Sequence, residues 1–308
     1  MPDTLPGRLA LASVAALGAE LGDLKRLRDA TSPDSLASRL FRRGWAALLA
    51  GQAIEDVALG TTADAVAACR LGGIDHMVLE TAGLSAADAA SVLRRGFDEV
   101  AGPILPDLAD TLRGHLGRAA WAGPAPAFAE ALIRQPRAGA TCPGKPRIVL
   151  EPPEGHGDHC LVVAVLACLL APRYHADPAT AFLAGMAHHL HNAYLPDSGF
   201  AGEMLLGDHL GPIMTLLFAR ELATLPSALG TSTRAALDLI GDAENPVGQA
   251  FNAADVIDRV LQMRHYEQVA QFTTSQALED MDLVHAGPVQ AFHFSVLREA
   301  GLRESGLS

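Results

Sequence analysis

The sequence predicts an all-α fold, with a helical N-terminal domain over residues 1–140 and a second helical domain over 141–308. Three observations carry this. Aromatic residues make up 5% of the 308-residue chain while alanine, leucine and glycine abound, which suits closely packed helices better than a β-sandwich. Helix-start signals recur, at Ser32-Pro33, Ser85-Ala-Ala-Asp88 and Asp177-Pro178. Gly60, Gly72-Gly73 and Gly83 punctuate the Ala- and Leu-rich pieces of the N-terminal half. Hydrophobic residues at 49% against 19% charged exclude a disordered chain, and the length allows a sizeable core.

Ser32 as cap and Pro33 in the first helical position predict a helix through Phe41, Trp45, Leu48 and Leu49. Asp64 to Leu71 forms a second Ala-rich piece. Ser85 and Asp88 have the spacing of a capping box and introduce Ala89 to Val100. His76 and His115 stand alone and read as structural. Between residues 136 and 158, prolines and glycines break any helix, and Arg147 to Leu150 reads as a short extended piece. Helix resumes at His159. Asp177-Pro178 starts another, expected to run to about His191, with Leu183, Met186, Ala187 and Leu190 on one apolar stripe and His188 and His189 on opposite sides of it. After the loop Pro196–Gly199, helices are predicted over Gly202–Leu210, Pro212–Leu222, Thr231–Ile240 and Gln249–Phe272.

A formal net charge of −12 argues against sequence-independent nucleic-acid binding. Lys25-Arg26-Leu27-Arg28 and Arg42-Arg43 read as solvated helix faces. The four cysteines form no C-x-x-C pair, and Cys160 and Cys168 read as small buried hydrophobes. The longest apolar run, Leu161 to Ala171, is shorter than a bilayer span, and the N-terminus lacks the pattern of a secretory signal. The expectation is a cytoplasmic protein with reduced thiols and no membrane partner. No phosphate loop, nucleophile elbow or H-E-x-x-H pattern occurs.

The chemistry concentrates at Ala184-Gly-Met-Ala-His188-His189-Leu-His191-Asn192. Imidazole is the commonest metal ligand, and histidines crowded at the end of an apolar helix are unfavourable without a partner. Upstream, His159 heads the apolar segment to Ala171. Downstream, Phe251-Asn-Ala-Ala-Asp255-Val-Ile-Asp258 places aspartates in an otherwise apolar stretch.

Taken in order, these segments resemble the HD-domain superfamily over residues 155–275. Its members are helical metal-dependent phosphohydrolases and relatives that carry a histidine, a His-Asp pair and a distant aspartate. The resemblance implies a metal set of His159, His188, His189 and Asp255. His189 stands where the family has aspartate, and Asn192 where it often has lysine. A neutral imidazole offers one lone pair and cannot bridge two metals, so a single divalent ion is implied: Zn, Mn, Fe, Co or Ni. By periodicity, Ala253, Val256, Ile257, Val260 and Leu261 define the apolar face of the last helix. Asp255 falls almost opposite, which leaves Asp258 as the alternative ligand.

Asp197, Glu203 and His209 are the candidate proton-handling residues, with His191, Asp208 and Glu244 behind them. Lys145, Arg147 and Arg259 are the candidates to meet a phosphate. The resemblance implies hydrolysis of a small phosphate ester or nucleotide, and a homodimer is a further expectation. The rival readings are an iron-dependent oxygenase of a small molecule and a non-catalytic scaffold.

Overall fold

In a computed structural model, residues 11–118, 123–269, 290, 291, 294 and 297 are described. Residues up to Gln262 form one compact unit and those from Met263 a second. Of the second, the described residues are the last turns of the final long helix and the helical positions 290, 291, 294 and 297. The predicted end of that helix at Phe272 lies outside the described residues.

The fold is all-α. Its helices are α1 (Leu11–Asp23), α2 (Leu36–Leu49), α3 (Ile54–Leu71), α4 (His76–Thr81), α5 (Ala86–Val100), α6 (Pro106–His115), α7 (Ala127–Arg134), α8 (His156–Leu170), α9 (Pro178–Ala187), α10 (Gly199–Leu206), α11 (Leu210–Leu222), α12 (Ser227–Leu239) and α13 (Pro246–Gln268). Pairing outside helices among the described residues is confined to isolated bridges, one of which, Ala140 with Ile148, holds the extended piece Arg147–Leu150.

Local chemistry sets several helix starts. Ser85 accepts from the Asp88 amide at 3.2 Å, and the Asp177 carboxylate accepts from the Thr180 amide at 2.8 Å with Pro178 following. The expected start at Ser32-Pro33 is corrected. Ser35 caps α2 through the Ser38 amide, while Ser32 accepts from Asp34 in a turn of its own.

All fifteen residues of α8 are buried, and it is the axis of the core. Helices α1, α2, α3, α7 and α9 all pack on it. Helices on both sides of the loop near residue 140, expected as a domain boundary, therefore share one core. Trp45 of α2 meets Phe128 of α7 edge-on at 4.8 Å within it. The segment 156–174 is long and apolar enough to cross a membrane by length and composition, longer than the run Leu161–Ala171 suggests. Burial of 83% of its apolar window is the mark of a core helix. Cys160 and Cys168 are buried there as free thiols, and burial pushes Cys168 up to about 12.

Of two basic stretches read as solvated faces, Arg28 is exposed but the other cations are engaged. Lys25 is 3% exposed. Arg42 binds Glu130 at 2.6 Å and Asp34 at 2.8 Å, and Arg43 binds Asp75.

Asp64 of α3 yields a testable consequence. It accepts from the Gly117 amide at 2.9 Å, but burial raises its carboxyl to about 6. A raised folded-state value means that stability present at low pH is lost as pH rises through about 6. Asp64→Asn keeps the acceptor and removes the charge. It is expected to stabilise the protein at pH 8 by about 1–3 kcal/mol and by clearly less at pH 4.5, where the folded carboxyl is still protonated. Urea midpoints at the two pH values check this, and an equal shift at both refutes it.

Candidate metal centre

Three elements bring the imidazoles together. His156 and His159 lie on the first turn of α8, both fully buried. His188 ends α9. His189 opens a 3-10 turn, Leu190–Ala193. The expected continuous helix to His191 is therefore corrected: α9 stops at Ala187. In a continuous helix His188 and His189 would diverge by about 100°. The break lets both rings face His159, with centroids 5.0 and 5.2 Å from it and 4.2 Å from each other. One ligand atom from each of the three lies within 4.8 Å of the others.

The hydrogen bonds assign the tautomers. His159 Nδ1 donates to Asp258 Oδ2 at 2.7 Å, His188 Nδ1 to the Gly185 carbonyl at 2.8 Å, and His189 Nδ1 to Asn192 Oδ1 at 2.8 Å. Asn192 is oriented by its own NH2, which donates to the Leu195 carbonyl at 3.0 Å. Each partner is an acceptor, so each neutral ring carries its proton on Nδ1 and a lone pair on Nε2. The Nε2 atoms of His159 and His188 face each other across 3.1 Å, and Asp255 Oδ1 lies 3.3 Å from His159 Nε2. That is a cluster of acceptors with no donor of its own. One proton on His159 Nε2 reaches one neighbour; a metal ion could engage the three imidazoles, while Asp255 approaches from His159 alone and lies outside that group. Imidazoles whose second nitrogen donates to a carboxylate or carbonyl are the usual metal-ligand arrangement.

The electrostatics suit a cation. Burial, reinforced by His159, pushes His188 down to about 3, so it is neutral near pH 7. Burial and His188 hold His189 well below its ordinary value. Burial opposes ionisation of Asp255, but a positive charge at His159 Nε2, whether a proton or a cation in its place, outweighs it and holds the carboxyl below the usual range. Phe251 packs on His188 at 5.0 Å, closing one side of the cluster. Two open clefts of about 450 and 500 Å³ lie elsewhere, and no imidazole of the cluster lines either. Chemistry rather than volume singles out this site.

The apolar face predicted for α13 is corrected. Val256 and Val260 are each 52% exposed, and the helix buries Val247, Phe251, Ala254, Asp258 and Gln262 instead. This turns Asp255 toward His159 Nε2 and puts Asp258, the alternative ligand, on Nδ1.

Asp197 lies beside the cluster. Its Oδ2 is 3.5 Å from His156 Nε2, and it accepts the Ala138 and Gly199 amides at 2.8 Å each. Burial opposes ionisation of Asp197, yet His156 and these amides hold its carboxyl below the usual range. Glu203 on α10, Asp208 and His209 in the turn after it, and Glu244 are exposed, and none has a hydrogen bond or ring contact with the cluster. His191 packs on Phe218 at 5.1 Å, and burial lowers it to about 4. Lys145 is exposed. Arg147 is engaged by the Ala138 and Ser198 carbonyls, and Arg259 by Asp255 at 3.2 Å.

Sequence reasoning missed three participants. His156 lies in a Gly-rich lead-in, and by register His159 fits the head of the helix better. His156 is buried, with Nδ1 on the Gln135 carbonyl at 2.9 Å and no hydrogen bond at Nε2. Its place three residues before His159, one turn away on the same face, was the available signal. Asn192 stood out only as a departure from a family lysine. Lys25 gave no signal, because its partners lie far along the chain: Asp258 at 2.7 Å and Glu154 at 3.3 Å. Compared with family models, curated proteins and solved structures, the chain matches none.

Proposed function

We propose that this chain is a metal-dependent phosphohydrolase acting on a small phosphate ester or nucleotide. The observation that carries the reading is the convergence of pinned imidazoles: three rings donate through Nδ1 to fixed acceptors, and their Nε2 lone pairs are left to the site beside Asp255. The three imidazoles are the group whose ligand atoms lie together, and with Asp255 closing in from His159 Nε2 as the oxygen donor the set suits a single divalent ion of Zn, Mn, Fe, Co or Ni. Such an ion, held by His159, His188, His189 and Asp255, would supply Lewis acidity that lowers the pKa of a water and polarises a phosphoryl oxygen.

The chain's own groups supply the rest. The positive charge of Arg137 is near enough to lower His188 and His189, which supports an anionic substrate. Arg259, exposed and tied to Asp255, is a second cation at the rim. His156 is placed to accept a proton at its unpaired Nε2, and Asp197 at 3.5 Å would stabilise the imidazolium. Glu203 and His209, exposed and away from these contacts, have no part in this scheme.

Untagged protein purified without chelator is expected to hold near one metal ion per chain by elemental analysis. It should also hydrolyse p-nitrophenyl phosphate or members of a nucleotide panel, with loss on chelation and recovery on readdition of metal. Full metal without hydrolysis across the panel would sink the phosphohydrolase reading. The nitrogen-rich donor set also suits iron, so bound iron with substrate-dependent oxygen consumption would replace it with an oxygenase. Folded protein that takes up none of the five ions would leave the scaffold.

A further inference from the structure

A buried lysine is unfavourable unless its charge is matched, and Lys25 is 3% exposed. Its Nζ donates to both oxygens of Asp258, at 2.7 and 2.8 Å, and to Glu154 Oε2 at 3.3 Å. Glu154 is matched in turn by Arg26 at 2.9 Å. Burial works against the Lys25 charge, but Asp258 and Glu154 outweigh it and raise the ammonium above its ordinary value. A fixed buried cation thus sits one hydrogen-bonded step behind the metal cluster.

Asp255 and Asp258 are three residues apart on α13, and both reach His159. Asp255 lies at Nε2 and Asp258 at Nδ1. A carboxylate this close to a histidine ligand can compete for the metal itself. Lys25 engages both oxygens of Asp258 and leaves Oδ2 to accept from His159. We propose that Lys25 is the positioning residue of the metal centre: it holds Asp258 as the acceptor for His159 Nδ1–H, which fixes Nε2 as the ligand atom and keeps Asp258 out of the ligand set. The inference rests on the metal-centre reading and gives the segment after α1 a role in the site.

The test is a double-mutant cycle of Lys25→Met and Asp258→Leu in the full chain. It reads the Co(II) dissociation constant and, in metal-free protein, the 15N imidazole resonances of His159. Each single change is expected to weaken Co(II) binding by about 10- to 100-fold, the usual effect of losing an outer hydrogen-bond partner. The double variant should be no worse than the weaker single, because the two residues act as a unit. His159 should be the Nδ1–H tautomer in wild type and lose that preference in both variants. Wild-type affinity and tautomer in Lys25→Met, or losses that multiply in the double, would overturn the proposal. Should Lys25→Met not fold, an unchanged tautomer and Co(II) affinity in Asp258→Leu overturns it alone. Wild type that takes up no Co(II) overturns the metal reading, and the tautomer then decides the role of Lys25 separately.

Discussion

Alanine in place of His188 is expected to remove the bound metal while leaving the fold in place. Its Nε2 lies 3.1 Å from that of His159, and its Nδ1 is fixed by the Gly185 carbonyl. Loss of an outer partner alone weakens metal binding by about 10- to 100-fold, and loss of a ligand should exceed that. Elemental analysis should fall from near one ion per chain to background. The thermal stabilisation given by metal should vanish with it. Ligand at about a thousandfold above its dissociation constant stabilises by about 4 kcal/mol, so chelated wild type and the variant should melt closer to each other than either does to loaded protein. His209→Ala, at an exposed turn without contact to the cluster, should keep its metal. Full occupancy in His188→Ala would exclude this imidazole as a ligand.

Gly185→Ala should be among the most damaging single substitutions. A Cβ at Gly185 would lie 2.4 Å from the Cα and 2.6 Å from the backbone nitrogen of Ala164, so α8 and α9 touch backbone to backbone here. No side chain can rotate away, and the helices must separate. Overpacking of this kind costs about 1–3 kcal/mol and more where backbone must move, so about 2–4 kcal/mol is expected. The same shift moves the Gly185 carbonyl that fixes His188, so metal affinity should fall together with stability. Gly211 on α11 is the control. It is exposed with nothing within 4 Å of an added Cβ, and alanine there should be neutral or slightly stabilising. Denaturant midpoints compare the two. A Gly185→Ala protein within about 0.5 kcal/mol of wild type would mean that the contact relaxes freely.

Both arguments turn on places where the sequence pattern and the folded chain part company. By itself the sequence determined the helical class and several helix starts. The signals are local: Ser85 and Asp177 bind amides three residues on, and Pro178 fits the first turn without a lost hydrogen bond. It also marked the segment that carries His188 and His189, because histidines at the end of an apolar helix stand out against any background.

Only the tertiary structure decided how those residues meet. The stop of α9 at Ala187 turns two rings that helical periodicity separates onto one neighbour. Along α13, periodicity assumes that apolar residues face inward. The buried face instead holds Asp258 and Gln262, with partners in Lys25, His159 and Arg137. Lys25 reads as a surface charge for the same reason. A polar side chain is buried when its hydrogen-bond partners come from elsewhere in the chain, and a pattern within one element cannot register a partner 233 residues away.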